Sequence, residues 1–146
     1  MARPTKEGLD YFSFDVDFFD NKKVRKIMRG CGPTSALILT SLLCNIYQNK
    51  GYYTLVDDDL SFDIADKIGV SEGAVNETIT KALQVRFFDP LQYEKNRIIT
   101  SLEILRRYKA GSSKRENVEI NERYTVYSPD NEVSGTRVGY TLASSV

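Results

Sequence analysis

The chain predicts an α+β fold of the winged helix-turn-helix kind, mostly helical, with a β-hairpin wing and a short β-rich C-terminal extension. Three observations lead there. Residues 57–85, DDDLSFDIADKIGVSEGAVNETITKALQV, carry apolar side chains at helical spacing on both sides of a Gly69–Ser71 break. Two short apolar runs around a polar loop follow directly. Upstream, the stretch from Ala36 to Tyr47 is apolar enough to form a buried central helix. The expected division is a winged-helix domain over residues 1–110 and an extension over residues 111–146.

Residues 1–8, with Arg3 and Lys6 around Pro4, read as a loose arm, since chain ends with little to bury fray. The next run, Leu9 to Phe19, is the most aromatic part of the chain. Phe12, Phe14, Val16 and Phe18 alternate with polar residues, which predicts an extended segment laying one face on the core. Asp10, Asp15 and Asp17 share this run. Alternation sends Asp15 and Asp17 to the solvent side without a glycine turn or a further ligand, so they read as caps or ion-pair partners rather than as a Mg²⁺ site.

Asp20 is the expected cap of a helix over residues 21–29, with Gly30 as its stop. Val24, Ile27 and Met28 form its inner face. Lys22, Lys23, Arg25, Lys26 and Arg29 form the rest, with no acid among them. Such a face either pairs with the preceding aspartates or meets phosphate. Pro33 suits the first turn of the next helix. There Ala36, Leu37, Ile38, Leu39, Leu42, Leu43, Ile46 and Tyr47 are apolar nearly all round, as a central helix requires. Gly51 ends it, and Tyr52 to Val56 read as a short strand.

In the motif itself, Ile64, Ala65 and Ile68 mark the first helix. Gly69 supplies the stop, because it takes φ > 0 at low cost, and Ser71 caps the second helix. Val75, Ile79, Ala82 and Leu83 point inward; Glu72, Asn76, Glu77, Thr80, Lys81 and Gln84 point outward. Residues 86–89 and 97–100 are the expected arms of the hairpin, with Tyr93, Lys95 and Arg97 on or beside the wing. Thr100 and Glu103 fit a capping box for a last helix over residues 101–110, with Leu102, Ile104 and Leu105 inward. Gly111, Ser112 and Ser113 mark a linker. From Val118 on, scattered apolar residues between Ser128-Pro129-Asp130-Asn131 and Ser134-Gly135 read as weak strands or a tail, too few for a second core.

Composition narrows the function. At 146 residues and 41% apolar, the chain can bury a core without staples. Lys plus Arg equals Asp plus Glu at 20 each, so any nucleic-acid face must come from local clustering. The absence of His removes the commonest general base and metal ligand. Cys31 and Cys44 lie in or beside apolar stretches without a C-x-x-C pair, and read as buried, reduced thiols rather than zinc ligands. With no nucleophile–base pair, phosphate-cradling Gly loop or metal cluster in view, the expectation is no enzyme and no cofactor. The start, MARPTKEG, carries no signal-peptide pattern, and the apolar stretch over residues 36–43 is too short to cross a bilayer.

Candidate nucleic-acid contacts fall in three groups. Asn76, Thr80, Lys81 and Gln84 on the second motif helix, with Arg86 just after it, have the groups that read base edges or meet phosphate. Glu72 and Glu77 leave that face neutral. Lys95 and Arg97 would serve the wing. Lys22, Lys23 and Lys26, together with Arg106, Arg107, Lys109, Lys114 and Arg115, form two cationic rows. DNA binding requires these rows to gather on one side, beside the second motif helix.

The run RPTKEGLDYFSFDVDFF, then NKGYYTLVDDDL, DIADKIGVSEGAV, FFDPL, IITSLEILRRYKA and SKRENV, resembles the winged-helix domain of phage and prophage replication proteins of the replisome-organiser, or DnaD-like, kind. The resemblance covers about residues 2–127. It implies a domain that binds DNA or nucleates a replication complex in the cytoplasm of a bacterial host, away from membranes, with host or phage replication proteins as partners. The expected role is therefore nucleic-acid binding in DNA replication initiation or transcription control. The competing expectation is a phage-encoded docking module for a host replication or defence complex, favoured by the aromatic N-terminal segment, Tyr52, Tyr53 and the neutral motif helix. Winged helices often dimerise, so a homodimer fits either role.

Overall fold

The computed structural model describes residues 7–115, 118–126 and 139–141. They form a mostly helical α+β fold in which a helix pair over Asp58–Ile68 and Glu72–Gln84 packs on a central helix over Thr34–Gln48.

A 3-10 turn, Phe18–Asp20, leads into α1 (Lys22–Cys31). Asn21, not Asp20, is the cap: its backbone is extended, and its side-chain oxygen accepts from the N–H groups of Lys23 and Val24. The helix continues through Gly30 and stops at Gly32, whose φ of 90° no other residue adopts easily. Val24 and Ile27 are fully buried and fix which face turns outward. In α2 (Thr34–Gln48), Ile38, Leu39, Leu42 and Ile46 are buried to 1% exposure or less, as a central helix requires. Leu37 remains 55% exposed, so the helix is not covered all round. Both thiols are free, but Cys44 is exposed and Cys31 half-buried, which corrects the expectation of two buried cysteines.

α3 (Asp58–Ile68) and α4 (Glu72–Gln84) stand as the spacing predicts. Asp57 caps α3 by accepting from Leu60 N–H, Gly69 takes the left-handed conformation at φ 84°, and Ser71 caps α4 at 3.0 Å from Ala74 N. Ile64 and Ala65 pack toward Val75, Ile79 and Ala82 in one cluster, so neither helix can turn without exposing apolar surface. Thr78, absent from the expected inner face, is fully buried because its hydroxyl donates to the Ala74 carbonyl.

β1 (Thr54–Leu55) pairs antiparallel with β2 (Ile98–Ile99), Thr54 opposite Ile99. The expected hairpin wing is not formed: α5 (Pro90–Asn96) occupies its place. Asp89 accepts from Gln92 N–H, Pro90 opens the first turn, and Arg97 ends the helix at φ 55°. One backbone bond, Asp89 N–H to the Thr100 carbonyl at 2.8 Å, still ties the two would-be arms together. α6 (Leu102–Gly111) is capped by Ser101 rather than Thr100. Thr100 is buried instead and donates to the Tyr52 carbonyl. β3 (Glu119–Asn121) pairs in parallel with β4 (Gly139–Thr141). Val118 and Ile120 belong to the same core as α2, and Asn121 N–H donates to the Tyr52 hydroxyl at 2.9 Å, so this stretch is packed rather than a free tail.

The N-terminal segment crosses α2 and α6. Leu9 N–H donates to the Tyr47 carbonyl, Phe12 stacks on Tyr47 at 4.5 Å, and Phe18 is buried. Alternation holds only in part: Phe14 is half-exposed, and Val16 points fully to solvent. Among the described residues no group of acidic or thiol side chains is placed to hold a metal, and no helix is long and apolar enough to cross a membrane. The expected arm residues Arg3, Pro4 and Lys6 and the turns at 128–131 and 134–135 lie outside the described residues.

Candidate nucleic-acid interface

The outward face of α1 is a helical stripe. Lys22, Arg25, Lys26 and Arg29 recur at three- and four-residue intervals, which places them in line along one side. That side faces the C-terminal half of α4. There, Lys22, Arg25, Lys26, Arg29, Gly30 and Lys81 line a shallow open cleft of about 510 Å³ with no acid in its wall. Gly30 lets the helices approach: a Cβ in its place would stand 3.1 Å from Lys81 Cε. The four α1 cations are exposed and Lys81 is half-buried, so the cleft offers positive charge at little cost of burying it.

The other expected contacts separate. Asn76 is exposed on α4, but its side-chain oxygen accepts from the Ser61 hydroxyl at 2.6 Å and so belongs to the α3–α4 joint. Thr80 and Gln84 are exposed on α4 and do not line the cleft. Glu77 lies beside Cys31, where burial and then the Glu77 charge push the thiol pKa up. Lys95 and Arg97 are exposed on and after α5, away from the cleft wall, and the Arg97 guanidinium lies 5.0 Å over the Tyr93 ring.

The second cationic row holds the fold together rather than facing one partner. Arg107 is ion-paired with Asp15 and donates to the Ser13 carbonyl; Glu103 lies 3.6 Å from it. Burial opposes the Arg107 charge, but the Asp15 carboxylate outweighs it and leaves its pKa above the ordinary value. Arg115 donates to the carbonyls of Glu7 and Gly8, and Lys109 is buried. Lys114 is exposed beyond the end of α6. The two rows therefore do not gather on one side as expected: Lys22, Lys26 and Lys81 meet in the cleft, while Arg107, Lys109 and Arg115 are committed elsewhere.

A third set converges separately. Lys23, Arg86, Arg106 and Arg107 line a cavity of about 430 Å³ together with the aromatic N-terminal segment. Lys23 Nζ donates to the Arg86 carbonyl at 3.0 Å, and Arg86 itself is held at φ 63°. For a non-glycine residue that conformation costs about 1 kcal/mol, so packing around the end of α4 overrides it.

Arg25 and Arg29 complete the cleft; they belong to the cationic face of α1 that the sequence singles out, with Lys22, Lys23 and Lys26 the expected individual contacts on it. The 430 Å³ cavity had no signal in the sequence, because its walls come from the N-terminal segment, the start of α1, the C-terminal half of α2, the stretch after α4, the start of α6 and Val126.

Comparison with known proteins replaces the resemblance to DnaD-like replisome organisers. The family model matching residues 11–104 is Lin1244/Lin1753-like, N-terminal, and no replisome-organiser family accompanies it. The uncharacterized phage-related protein Lin1244/Lin1753 of Listeria innocua serovar 6a is 32% identical over 108 residues. That alignment takes in 74% of this chain and 35% of the relative, so the chain spans about a third of that protein's length. No solved structure matches. The chain belongs to the Lin1244/Lin1753-like N-terminal family.

Proposed function

We propose that this domain binds nucleic acid of phage or host through its phosphate backbone, with the α1–α4 cleft as the contact surface, in DNA replication or transcription control. In this reading the fold is a winged-helix variant in which α5 stands where the wing would be. One observation carries it: four cations of α1 and Lys81 of α4 line a single open cleft without an acid. Solvated cations at a polyanion release condensed counterions, and that release supplies affinity without reading sequence. Base readout by α4 has less support, because Asn76 is engaged with Ser61, and Glu72 and Glu77 are exposed on the same helix and repel phosphate.

The test is fluorescence anisotropy of a labelled duplex against salt. Five neutralised phosphates predict a slope of log affinity on log salt of about −4 to −5. An affinity independent of salt, or none at low salt, contradicts the proposal.

A second reading draws on a different observation. Tyr11, Val16 and Phe19 are 87%, 105% and 58% exposed within one short segment, and clustered exposed apolar groups mark protein contacts. That segment supports docking to a host replication or defence complex. Retention of a host protein by a domain with no nucleic-acid affinity would favour it.

A further inference from the structure

The cavity of about 430 Å³ beside Arg86 lies within the range of small-molecule sites, roughly 300–1,000 Å³. Its wall is aromatic: Phe12, Phe14, Phe18 and Phe87 line it, with Phe14 still 44% exposed although its ring lies 4.7 Å from that of Phe18. Its rim is charged. Of the acids there, Asp15 and Glu103 lie against Arg107, and Asp89 caps α5, which leaves Asp17 as the remaining acid. On the cationic side stand Lys23 and Arg86. Lys23 uses one of its three donors on the Arg86 carbonyl, and that contact holds the ammonium at the mouth.

The cavity and the cleft share no lining residue, but both border α1. Lys22 and Lys26 line the cleft, and Lys23, on the adjacent face of the same helix, lines the cavity. A phosphate backbone laid along α1 would meet both. An aromatic wall beside Lys23 and Arg86, on one side of a rim of mixed charge, matches a flat π-system carrying a phosphate, because stacking on aromatic side chains is open to every base. In a duplex those faces are already stacked and paired.

We propose that this cavity receives one unpaired nucleobase of a single strand, with its phosphate at Lys23 and Arg86. The inference rests on the nucleic-acid reading of the cleft and specifies which form of nucleic acid is preferred.

The experiment compares single-stranded DNA, single-stranded RNA and duplex DNA of one length, with 2-aminopurine in the strand; the chain has no Trp, so this probe reports without background. The expected result is tighter binding of at least one single strand than of the duplex, despite the duplex's greater charge, with quenching of the probe. Phe14→Ala weakens single-strand binding by at least about fivefold. Asp17→Asn strengthens it, since it removes a like charge from the phosphate site. Leu91→Ala, at an exposed apolar side chain on α5, serves as the comparison variant and leaves binding unchanged. A duplex bound at least as tightly as both single strands, or a single-strand preference that survives Phe14→Ala, overturns the inference while the cleft reading stands. Failure of all three nucleic acids to bind overturns both.

Discussion

Tyr52 lies where three elements meet. Its ring packs 5.0 Å from Tyr53 and 5.4 Å from Tyr108, its carbonyl accepts from Thr100, and its hydroxyl accepts from Asn121 N–H. Burial pushes its pKa up to about 12, with the Asn121 hydrogen bond working in the opposite direction. Burial likewise raises the pKa values of Tyr47, Tyr53 and Tyr108. An unfolded tyrosine ionises near pH 10, so the unfolded chain loses these protons first. The stabilisation is fully present below about pH 10 and disappears as pH rises toward 12, roughly 2–3 kcal/mol for Tyr52 alone. Urea midpoints should therefore hold steady to about pH 10 and then fall, with a shallower fall in Tyr52→Phe. A midpoint unchanged up to pH 12 would show that these rings are not buried as described. At this scale the sequence was legible where a side chain acts locally and silent where its partner is remote. Ser71 caps α4 from three residues away and was read correctly. Arg107 was taken for a phosphate contact because Asp15, its ion-pair partner, lies 92 residues earlier.

At the scale of elements, one-residue errors and one larger error have separate causes. Asp20 and Thr100 are good caps by type, yet Asn21 and Ser101 do the capping, because extended backbone geometry at that position decides and neighbouring polar residues look alike in sequence. The hairpin was a larger miss. Asp89-Pro90 is a cap followed by a first-turn proline, and Leu91, Gln92, Glu94 and Lys95 are good helix formers. The helix signal was present, but the apolar runs on either side drew the reading toward strands. β1 and β2 are each only two residues long, and alternation over two residues carries no pattern. Gly30 looked like a stop but is helical, close to Lys81. Gly30→Ala should stabilise the domain by about 0.5 kcal/mol through helix propensity, because the Lys81 side chain can yield a few tenths of an ångström. A lower urea midpoint in this variant would mean that α1 and α4 meet more tightly than the geometry indicates.

Over the whole molecule, equal numbers of cations and anions give a net charge of zero, yet the charges are segregated. Cations line the α1–α4 cleft; acids gather in the first turn of α3, where Asp58 and Asp59 complement the helix dipole. The helix-turn-helix and the central helix were legible because each is a long periodic segment. The cleft was half legible: the α1 row stood out, but its meeting with Lys81 depends on how α1 crosses α4. The aromatic cavity needs several segments distant in sequence and could not be read from any one of them. Two cationic rows looked alike in sequence, and only one faces solvent as a set.

That difference gives the most direct measurement of the central claim: duplex affinity and its salt slope for two double charge reversals, Lys26→Glu with Arg29→Glu in the cleft, and Lys95→Glu with Lys114→Glu outside it. The cleft pair should flatten the slope by about two and weaken binding at least tenfold. The outside pair should leave the slope close to that of the parent. Equal losses from both pairs, or a cleft pair that binds like the parent, would contradict the assignment of the α1–α4 cleft as the phosphate-binding surface.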